Sequence, residues 1–242
     1  MDNNKKAEIL KEFKEFFKQT IAKNHLRNLR KLKKLSAFDY NPFLFTYKAT
    51  FLTGNDDVKS LAKALIYPRI LGSSIDTSFG QNMQTAAPNI LKSIIGSTTS
   101  GIDIEFVDQI DKRKKYCQIK SGPNTINKDD VETISRHFKG AKNLARTNAL
   151  KIEIDDFIVG VLYGTVDQLH ANYRKIMEEY PVLIGKDFWH RLTGDEGFYS
   201  SLIEVFAEAA KETKGKNELE KVIVDLAKDI EENFVRKELR KK

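Results

Sequence analysis

The chain has 242 residues, of which 40% are hydrophobic and 31% are charged. This composition is typical of a folded globular protein and excludes an intrinsically disordered chain. The formal net charge of +7 favours an anionic partner, but many basic proteins have none, so charge alone identifies no ligand.

The sequence carries no sign of a membrane or secreted protein. No stretch approaches the length and apolarity of a transmembrane helix, and residues 1–6 are polar where a signal peptide would turn apolar. We therefore expect a cytoplasmic protein with no membrane partner. Cys117 is the only cysteine, which excludes an intramolecular disulfide and a cysteine-based zinc site.

Helices are expected at both ends of the chain and strands in the middle. Apolar spacing predicts one long or two shorter helices over residues 4–34, and Asp56 and Gly72 mark the expected start and end of another. Gly80 and Pro88 should distort or divide a helix over residues 78–95. The remaining helices are expected within 40–53 and over 128–144, 166–179, 198–211 and about 216–242.

Strands are predicted over residues 101–106 and 116–122, where apolar and polar residues alternate, and over 182–184. The continuous apolar run at 157–163 is typical of a central strand that is covered on both faces. The expected fold is therefore α/β, a mixed β-sheet flanked by helices with helical N- and C-terminal arms.

The sequence shows no internal repeat and no long linker. We therefore predict a single domain over residues 1–242. It would consist of a helical N-terminal arm of about 1–37, a core of about 38–210 and a C-terminal helix of about 216–242.

The first two predicted strands carry Asp103, Glu105 and Lys120 at their polar positions. The short, charged link at residues 108–115 favours an antiparallel hairpin, which would bring two carboxylates and an ammonium to one face of the sheet. Gln118 lies two residues before Lys120 and therefore shares its face. An exposed cross-strand charge cluster without catalytic function is the competing interpretation.

Such a cluster suits metal-dependent cleavage of a phosphodiester. Carboxylate and amide oxygens are ligands for a hard cation such as Mg²⁺, which also binds substrate phosphate. The cation acidifies water and offsets charge on the phosphate, while a lysine can orient or deprotonate the attacking water.

These residues resemble the PD-(D/E)XK motif of the type II restriction endonucleases. Asp103 matches the acidic position on the first strand, and Lys120 matches the lysine on the second. Gln118 stands where the family usually has Asp or Glu, and an amide offers an oxygen without a negative charge. Either the metal site is weaker for this reason or Glu105 supplies the missing carboxylate.

Other segments extend the resemblance to one group of these enzymes, over roughly residues 38–210. That group is associated with short GC-rich palindromes of the GGNCC kind. The segments that carry it are 41–44, 64–72, 77–80 with Gln84, 118–127, 185–189 and 192–194.

The resemblance implies a restriction-endonuclease-like fold and a Mg²⁺ cofactor, with Mn²⁺ as a possible substitute. It implies a site whose catalytic residues are Asp103, Gln118, Lys120, Glu105 and Gln84. The implied metal ligands are Asp103, Gln118, Ile119 and Glu105. For Gln84, simple surface exposure of a helical amide is the alternative.

DNA contacts are expected from basic and polar residues outside the hairpin. The candidates are Lys31 and Lys34, in a basic segment that also carries an apolar stripe, then Ser121, Asn124, Thr125 and Asn127, and Arg136 with His137 nearby. A solvated helix face explains the lysines equally well, and loops use Asn and Thr to bond their own backbone.

The expected function is that of a type II restriction endonuclease. It would act on double-stranded DNA as a homodimer, alongside a DNA methyltransferase that protects the host's own sites. A binding-only protein on the same fold and a structure-specific repair or junction nuclease are the alternatives. The charged terminal helices also leave open a helical interaction protein.

Overall fold

The computed structural model describes residues 1–234, with residues 73 and 74 described in their backbone only. Residues 235–242 of the predicted C-terminal helix lie outside the described residues. Within the described part of the chain, no helix is long and apolar enough to cross a membrane.

The chain forms two compact units. The sheet unit comprises Met1–Phe16 and Gly80–Glu208, and the helical unit comprises Phe17–Phe79 and the residues from Ala209 onward. The prediction of a single domain over residues 1–242 stays a prediction.

Helices and strands alternate through the middle of the chain. The α-helices are α1 Asn3–Phe16, α2 Lys23–Leu29, α3 Pro42–Thr53, α4 Val58–Leu71, α5 Ser73–Ile95, α6 Lys128–Thr147, α7 Ala171–Met177, α8 Lys186–Thr193, α9 Phe198–Glu212 and α10 Gly215–Ile230. The strands are β1 Ile104–Val107, β2 Lys114–Lys120, β3 Phe157–Val161 and β4 Val182–Ile184.

The four strands form one mixed sheet in the order β1-β2-β3-β4. The pairing of β1 with β2 is antiparallel, with Ile104 opposite Cys117, whereas β3 runs parallel to both β2 and β4. Every residue of β3 is buried, as its apolar run predicted. The α/β fold class with a mixed sheet between helices is confirmed.

The two faces of the sheet pack against different helices of the sheet unit. On one face, Phe157 and Val159 of β3 lie with Ile134 and Phe138 of α6 in one apolar cluster. On the other face, a Cβ at Gly160 would lie within 2.3 Å of the Phe188 ring of α8, so only glycine fits there. The alternation along β3 thus separates the two layers of the core.

A network of side-chain hydrogen bonds begins α6. Asn127 accepts a hydrogen bond from the Asp130 backbone N–H, and Asp130 accepts one from the Asn127 backbone N–H, both at 2.9 Å. This capping box satisfies two backbone donors that the first helical turn leaves without partners. It also fixes the Asp130 carboxylate beside the end of β2.

The helical unit has its own core, between α4 and α10. The stripe predicted for the C-terminal helix is buried there, with Val222, Ile223, Leu226 and Ile230 packed among residues that include Leu61 and Ile66 of α4. The 3.6-residue period of the sequence therefore predicted this helix correctly over Gly215–Ile230, and residues 231–234 continue as a π-helical turn.

Two of the predicted helices are divided. Residues 4–34 form α1, a π-helical segment Phe17–Ala22 and α2, which ends at Leu29. Residues 166–179 form a 3₁₀ turn, Val166–Gln168, and then the short α7. Apolar periodicity detects the buried face of a segment but not a local change of helix type.

Two other expectations about helix boundaries were wrong. Asp57, not Asp56, begins α4, because its backbone is extended and its carboxylate accepts a hydrogen bond from the Ser60 N–H at 2.7 Å. Helix α5 passes through Gly80 and Pro88 without dividing. Its buried residues Met83 and Leu91 show that tertiary packing holds it despite the proline.

Candidate active site

Asp103 lies immediately before β1 and is fastened to β2. Its Oδ2 accepts a hydrogen bond from the Ile119 backbone N–H at 2.7 Å, and its own N–H donates to the Cys117 carbonyl oxygen at 2.9 Å. Desolvation raises the pKa of the Asp103 carboxyl, although the Ile119 N–H and the charge of Lys120 oppose the increase. A partly buried carboxylate of this kind gains stability from a cation placed beside it.

Glu105, one position along the same strand face, is held in a different way. Its Oε1 accepts hydrogen bonds from the backbone N–H groups of Thr98 and Thr99, both at 2.9 Å, and its Oε2 pairs with Lys114 at 2.6 Å. Desolvation opposes its ionisation, but the bonds from Lys114 and the two threonines outweigh this and lower the pKa to about 2. Its cation partner is therefore Lys114 and not Lys120.

Gln118 faces α6 from the middle of β2 and is almost completely buried. Its Nε2 lies 2.5 Å from the Gly101 carbonyl oxygen and 2.6 Å from Nδ1 of His137. No donor among residues 1–234 contacts its Oε1, so the amide oxygen stays available as a ligand.

Lys120, at the end of β2, shares the face of Gln118, as the period of two predicted. Its Nζ lies 2.9 Å from Oδ1 of Asp130 in the first turn of α6. Desolvation works against the charge of Asp130, but the Asn127 N–H and Lys120 lower its pKa overall. Sequence reasoning missed this partner, although Asn127-x-x-Asp130 before an apolar helix is a capping signal.

Gln84 reaches the same end of β2 from α5. Its Oε1 accepts a hydrogen bond from the Ser121 N–H at 2.9 Å, and its Nε2 donates to the Ile119 carbonyl oxygen at 3.2 Å. The amide is therefore not simply exposed. Because the Ile119 side chain is aliphatic and buried, its backbone carbonyl is the only oxygen that this residue can offer a metal.

The loop after Lys120 contains four of the residues expected to contact DNA. Asn124 is exposed, whereas Asn127 caps α6 and the Thr125 hydroxyl donates to the Gly122 carbonyl oxygen at 2.8 Å. Ser121 is fully buried, and its Oγ has no hydrogen-bond partner within the described chain, so this hydroxyl is out of reach of DNA in the present structure.

The basic candidates lie elsewhere. Arg136 is exposed on α6 of the sheet unit, and its guanidinium contacts the Thr133 hydroxyl at 3.4 Å. Lys31 and Lys34 belong to the helical unit and follow the end of α2, so they lie on a loop where a helix was expected. Both are exposed, and neither forms an ion pair with a residue that the structure describes.

The end of β2 offers oxygen donors of the kind that a divalent metal such as Mg²⁺ requires. Within residues 1–234, no group of three or more His, Cys, Asp or Glu could hold a metal ion. The available ligands are the Asp103 carboxylate, the Gln118 amide oxygen and the Ile119 carbonyl oxygen, and all three are hard donors. Mg²⁺ binds proteins through one or two carboxylates and keeps several waters, so these residues fit it as a one-carboxylate site.

No curated protein matches the chain. A protein-family model described as type II restriction endonuclease EcoO109I matches residues 7–214. Since the match covers most of the 242 residues, the chain belongs to the EcoO109I family of type II restriction endonucleases, which are DNA-cleaving hydrolases that generally use divalent metal ions.

Proposed function

We propose that this chain hydrolyses phosphodiester bonds in both strands of a short duplex DNA site, with Mg²⁺ as the cofactor and Mn²⁺ as a substitute. The observation that carries the proposal is the convergence at the end of β2. There, Asp103 is fastened to Ile119, and Lys120 extends from the next residue of the same strand.

Asp103, the Gln118 amide oxygen and the Ile119 carbonyl would hold the divalent cation. The cation, when bound, supplies positive charge that offsets the charge developing on the scissile phosphate and acidifies nearby water. Glu105 stays a candidate ligand, but it would have to exchange its bonds to Lys114 and the 98–99 backbone for the metal.

Lys120 is the residue that we assign to the attacking water. Its ammonium has three N–H donors, and Asp130 accepts one of them, which leaves the others for the water and the phosphate. A lysine held at one donor loses less conformational entropy when it engages the substrate. Gln84 contributes by fastening the backbone at Ile119 and Ser121.

DNA would be contacted by exposed cations and by the loop that follows Lys120. Arg136, Lys31 and Lys34 are exposed cations suited to phosphate contacts, which orient the duplex without reading its sequence. Asn124 is the exposed residue of the loop next to Lys120 and suits contacts to base edges. Thr125 and Asn127 would need to exchange their present intramolecular bonds to do the same.

A homodimer would place one active centre on each strand of a palindromic site. Helix α3 supports this part of the proposal, because it is apolar on both sides. Phe45 and Ala49 are buried on one side. On the other side, Phe43 and Phe51 are 92% and 82% exposed, and Tyr47, which lies between them in sequence, stacks on Phe51. An apolar face of this size on a soluble chain marks an interaction surface, and a second copy is the partner that two-strand cleavage requires.

Sedimentation of the purified protein over a range of concentrations tests the dimer. The variant Phe51→Glu should sediment as a monomer at concentrations at which the wild type is a dimer. Thr46→Glu, on an exposed position of the same helix, controls for the added charge. A wild-type monomer at all concentrations, with and without DNA, contradicts the proposed dimer.

The proposed activity is tested by digesting long unmethylated duplex DNA in Mg²⁺, with EDTA and Asp103→Ala as controls. We expect discrete fragments that both controls abolish, and the sequences of the fragment ends would identify the site. Prior treatment of the DNA with the methyltransferase of the same system should prevent cutting. A smear without discrete bands, or equal cutting by Asp103→Ala, contradicts the proposal.

A DNA-binding protein that lacks catalysis is the second candidate, and one observation favours it. Gln118 replaces an acid, so the site has one carboxylate where the motif usually has two. This candidate predicts salt-sensitive binding to DNA with no cleavage in either Mg²⁺ or Mn²⁺. A structure-specific nuclease would cut branched DNA and leave linear duplex intact.

A further inference from the structure

The surroundings of Gln118 show why an amide stands there. Its Nε2 contacts two groups, the Gly101 carbonyl oxygen at 2.5 Å and Nδ1 of His137 at 2.6 Å. The Gly101 carbonyl can only accept, so the side-chain atom that faces it must be a donor. This fixes the orientation of the amide, because the reverse orientation would place two oxygen atoms against each other.

The same contacts fix the state of the His137 ring. An NH₂ group has two hydrogens, one of which is donated to Gly101, so the other is donated to His137. His137 Nδ1 must therefore accept this hydrogen bond, which assigns the ring proton to Nε2.

The backbone is shaped to fit this arrangement. Gly101 has a φ of +77°, and a Cβ at this position would lie 2.7 Å from Cγ of His137. Any side chain here would be strained and would displace the ring from Gln118. Gly101 and His137 lie 17 and 19 residues from Gln118 in sequence, on the segment before β1 and on α6.

We propose that position 118 is built for an amide and not for a carboxylate, with His137 as the positioning residue that directs the Gln118 Oε1 toward the ligand set. This inference rests on the proposed function, but it is decided by the hydrogen bonds of the metal-free protein. A glutamate at 118 would place a carboxylate oxygen against the Gly101 carbonyl oxygen, which has no proton to donate. The amide at position 118 is therefore matched to the Gly101 carbonyl oxygen and the His137 ring that it contacts.

The first test is the ¹⁵N spectrum of the histidine rings in the metal-free, DNA-free protein at neutral pH. The chain has four histidines, and the spectrum of His137→Asn assigns the signals of His137. We expect an unprotonated Nδ1 and a protonated Nε2. A protonated Nδ1 at His137 overturns the proposal, whether or not the protein cuts DNA.

The second test measures the Tm of Gln118→Glu without metal. We expect a lower Tm than that of the wild type, because the substitution replaces a donor by a charged acceptor. Gln168→Glu controls for the exchange of an amide for a carboxylate at an exposed position, because the Gln168 Oε1 accepts a hydrogen bond from the Thr165 N–H, which a glutamate can also do. An unchanged or higher Tm for Gln118→Glu shows that the site tolerates a carboxylate and contradicts the proposal.

The third test compares two substitutions of His137 in the cleavage assay. In His137→Asn the amide oxygen can replace Nδ1 as acceptor, whereas His137→Leu has no acceptor. We expect His137→Leu to lower kcat by about 10–100-fold with little change in KM, as is usual when the partner of a metal ligand is lost. His137→Asn should retain most of the activity. Equal losses in both variants, with equal losses of Tm, would show that His137 is only a packing residue.

Failure of this inference can be distinguished from failure of the proposed function. If the wild type never cuts DNA but its His137 tautomer and the Gln118→Glu Tm are as expected, the geometry stands and the nuclease activity is wrong. If the wild type cuts and the tautomer is the opposite one, the activity stands and the role of His137 is wrong.

Discussion

The two ends of the β1–β2 hairpin both carry charged residues, but the carboxylates at the turn end are paired within the described residues and Asp103 at the other end is not. At the turn end, Asp108 is fully buried and pairs with Arg191 at 2.8 Å, while Asp156 pairs with Arg113 and Lys115 at 2.7 and 3.2 Å. At the other end, no cation within the described residues forms an ion pair with Asp103.

This difference separates the charges that stabilise the fold through ion pairs from the charge of Asp103, which has no ion pair within the described residues. A buried ion pair satisfies its own electrostatics, so it needs no ligand. A partly buried carboxylate with a raised pKa and no ion pair is destabilising at neutral pH, and such groups are concentrated at functional sites. The comparison therefore points to the Asp103 end as the active centre without reference to the family.

The largest expected effect is that of Asp103→Asn. The amide can still accept the Ile119 hydrogen bond, but it removes the one carboxylate among the proposed ligands Asp103, Gln118 and Ile119, so cleavage should fall on the order of 10³-fold or more. Because desolvation raises the pKa of Asp103 in the folded state, its ionised form costs stability at neutral pH. The variant should therefore have a higher Tm at pH 7.

The pH dependence of that Tm difference has a defined sign. The wild type gains stability relative to Asp103→Asn as the pH falls through the raised folded pKa of Asp103, so the two Tm values should converge in acid. Calorimetry between pH 4 and pH 8 measures this. A lower Tm of Asp103→Asn at pH 7 would place Asp103 among the structural charges.

Asp156→Asn at the turn end should have the opposite effects: it should lower stability and leave cleavage almost unchanged. It leaves Lys115 almost fully buried with Asp111 as its remaining acid, so we expect a loss of about 3 kcal/mol in the free energy of unfolding. Urea unfolding at pH 7 measures this loss. Cleavage per folded molecule should stay within about twofold of the wild type, and a larger loss of activity contradicts the separation of the two ends.

Asp130→Asn tests the ion pair that joins α6 to Lys120. The amide keeps an acceptor for the capping box but loses the charge, so kcat should fall by about 10–100-fold with little change in KM. Asp130→Glu should recover part of the activity. Asp129→Asn, on an exposed position of the same helical turn, is the control and should behave like the wild type.

Glu105→Gln tests whether Glu105 stabilises the fold or binds the metal. Because its hydrogen bonds lower its pKa to about 2, the ionised form stabilises the fold at pH 7, and this stability is lost as the pH falls from about 4.5 to about 2. Removing the charge should cost about 2 kcal/mol, as for other hydrogen bonds to charged groups. Urea unfolding at pH 7 and at pH 3 measures both quantities.

The cleavage assay of Glu105→Gln carries the functional part of this prediction. If Glu105 serves the fold, cleavage should fall by less than about tenfold, far below the loss in Asp103→Asn. A loss as large as that of Asp103→Asn would instead make Glu105 the second carboxylate of the metal site.

Much of the fold followed from periodicity. The alternation in β1 and β2, the apolar run of β3 and the stripe of α10 each predicted the element that the structure contains. The boundaries of α4 and α5 did not follow, because a cap depends on backbone geometry and because packing of Met83 and Leu91 outweighs the cost of Pro88. Neither the backbone geometry of a cap nor the packing of a helix against the rest of the protein can be derived from the local sequence.

The residues of the candidate site were also predictable only in part. Asp103, Gln118 and Lys120 were predictable because residues two apart on a strand share a face and because the motif is local. The residues that pair with the hairpin side chains were not predictable. Asp130, His137 and Lys114 each meet the hairpin through tertiary structure, and a carboxylate, imidazole or ammonium on an amphipathic segment is ordinarily solvated.

The sequence by itself therefore determined the class of fold, the family and the two polar strands that carry the candidate site. Only the tertiary structure decided which charges neutralise each other. Asp103 and Glu105 have the same charge and occupy neighbouring polar positions of one segment, yet burial raises the pKa of Asp103 while Lys114 and the 98–99 backbone lower that of Glu105. Pairing and desolvation depend on distances of a few ångströms between segments far apart in the chain, and no pattern along the sequence specifies them.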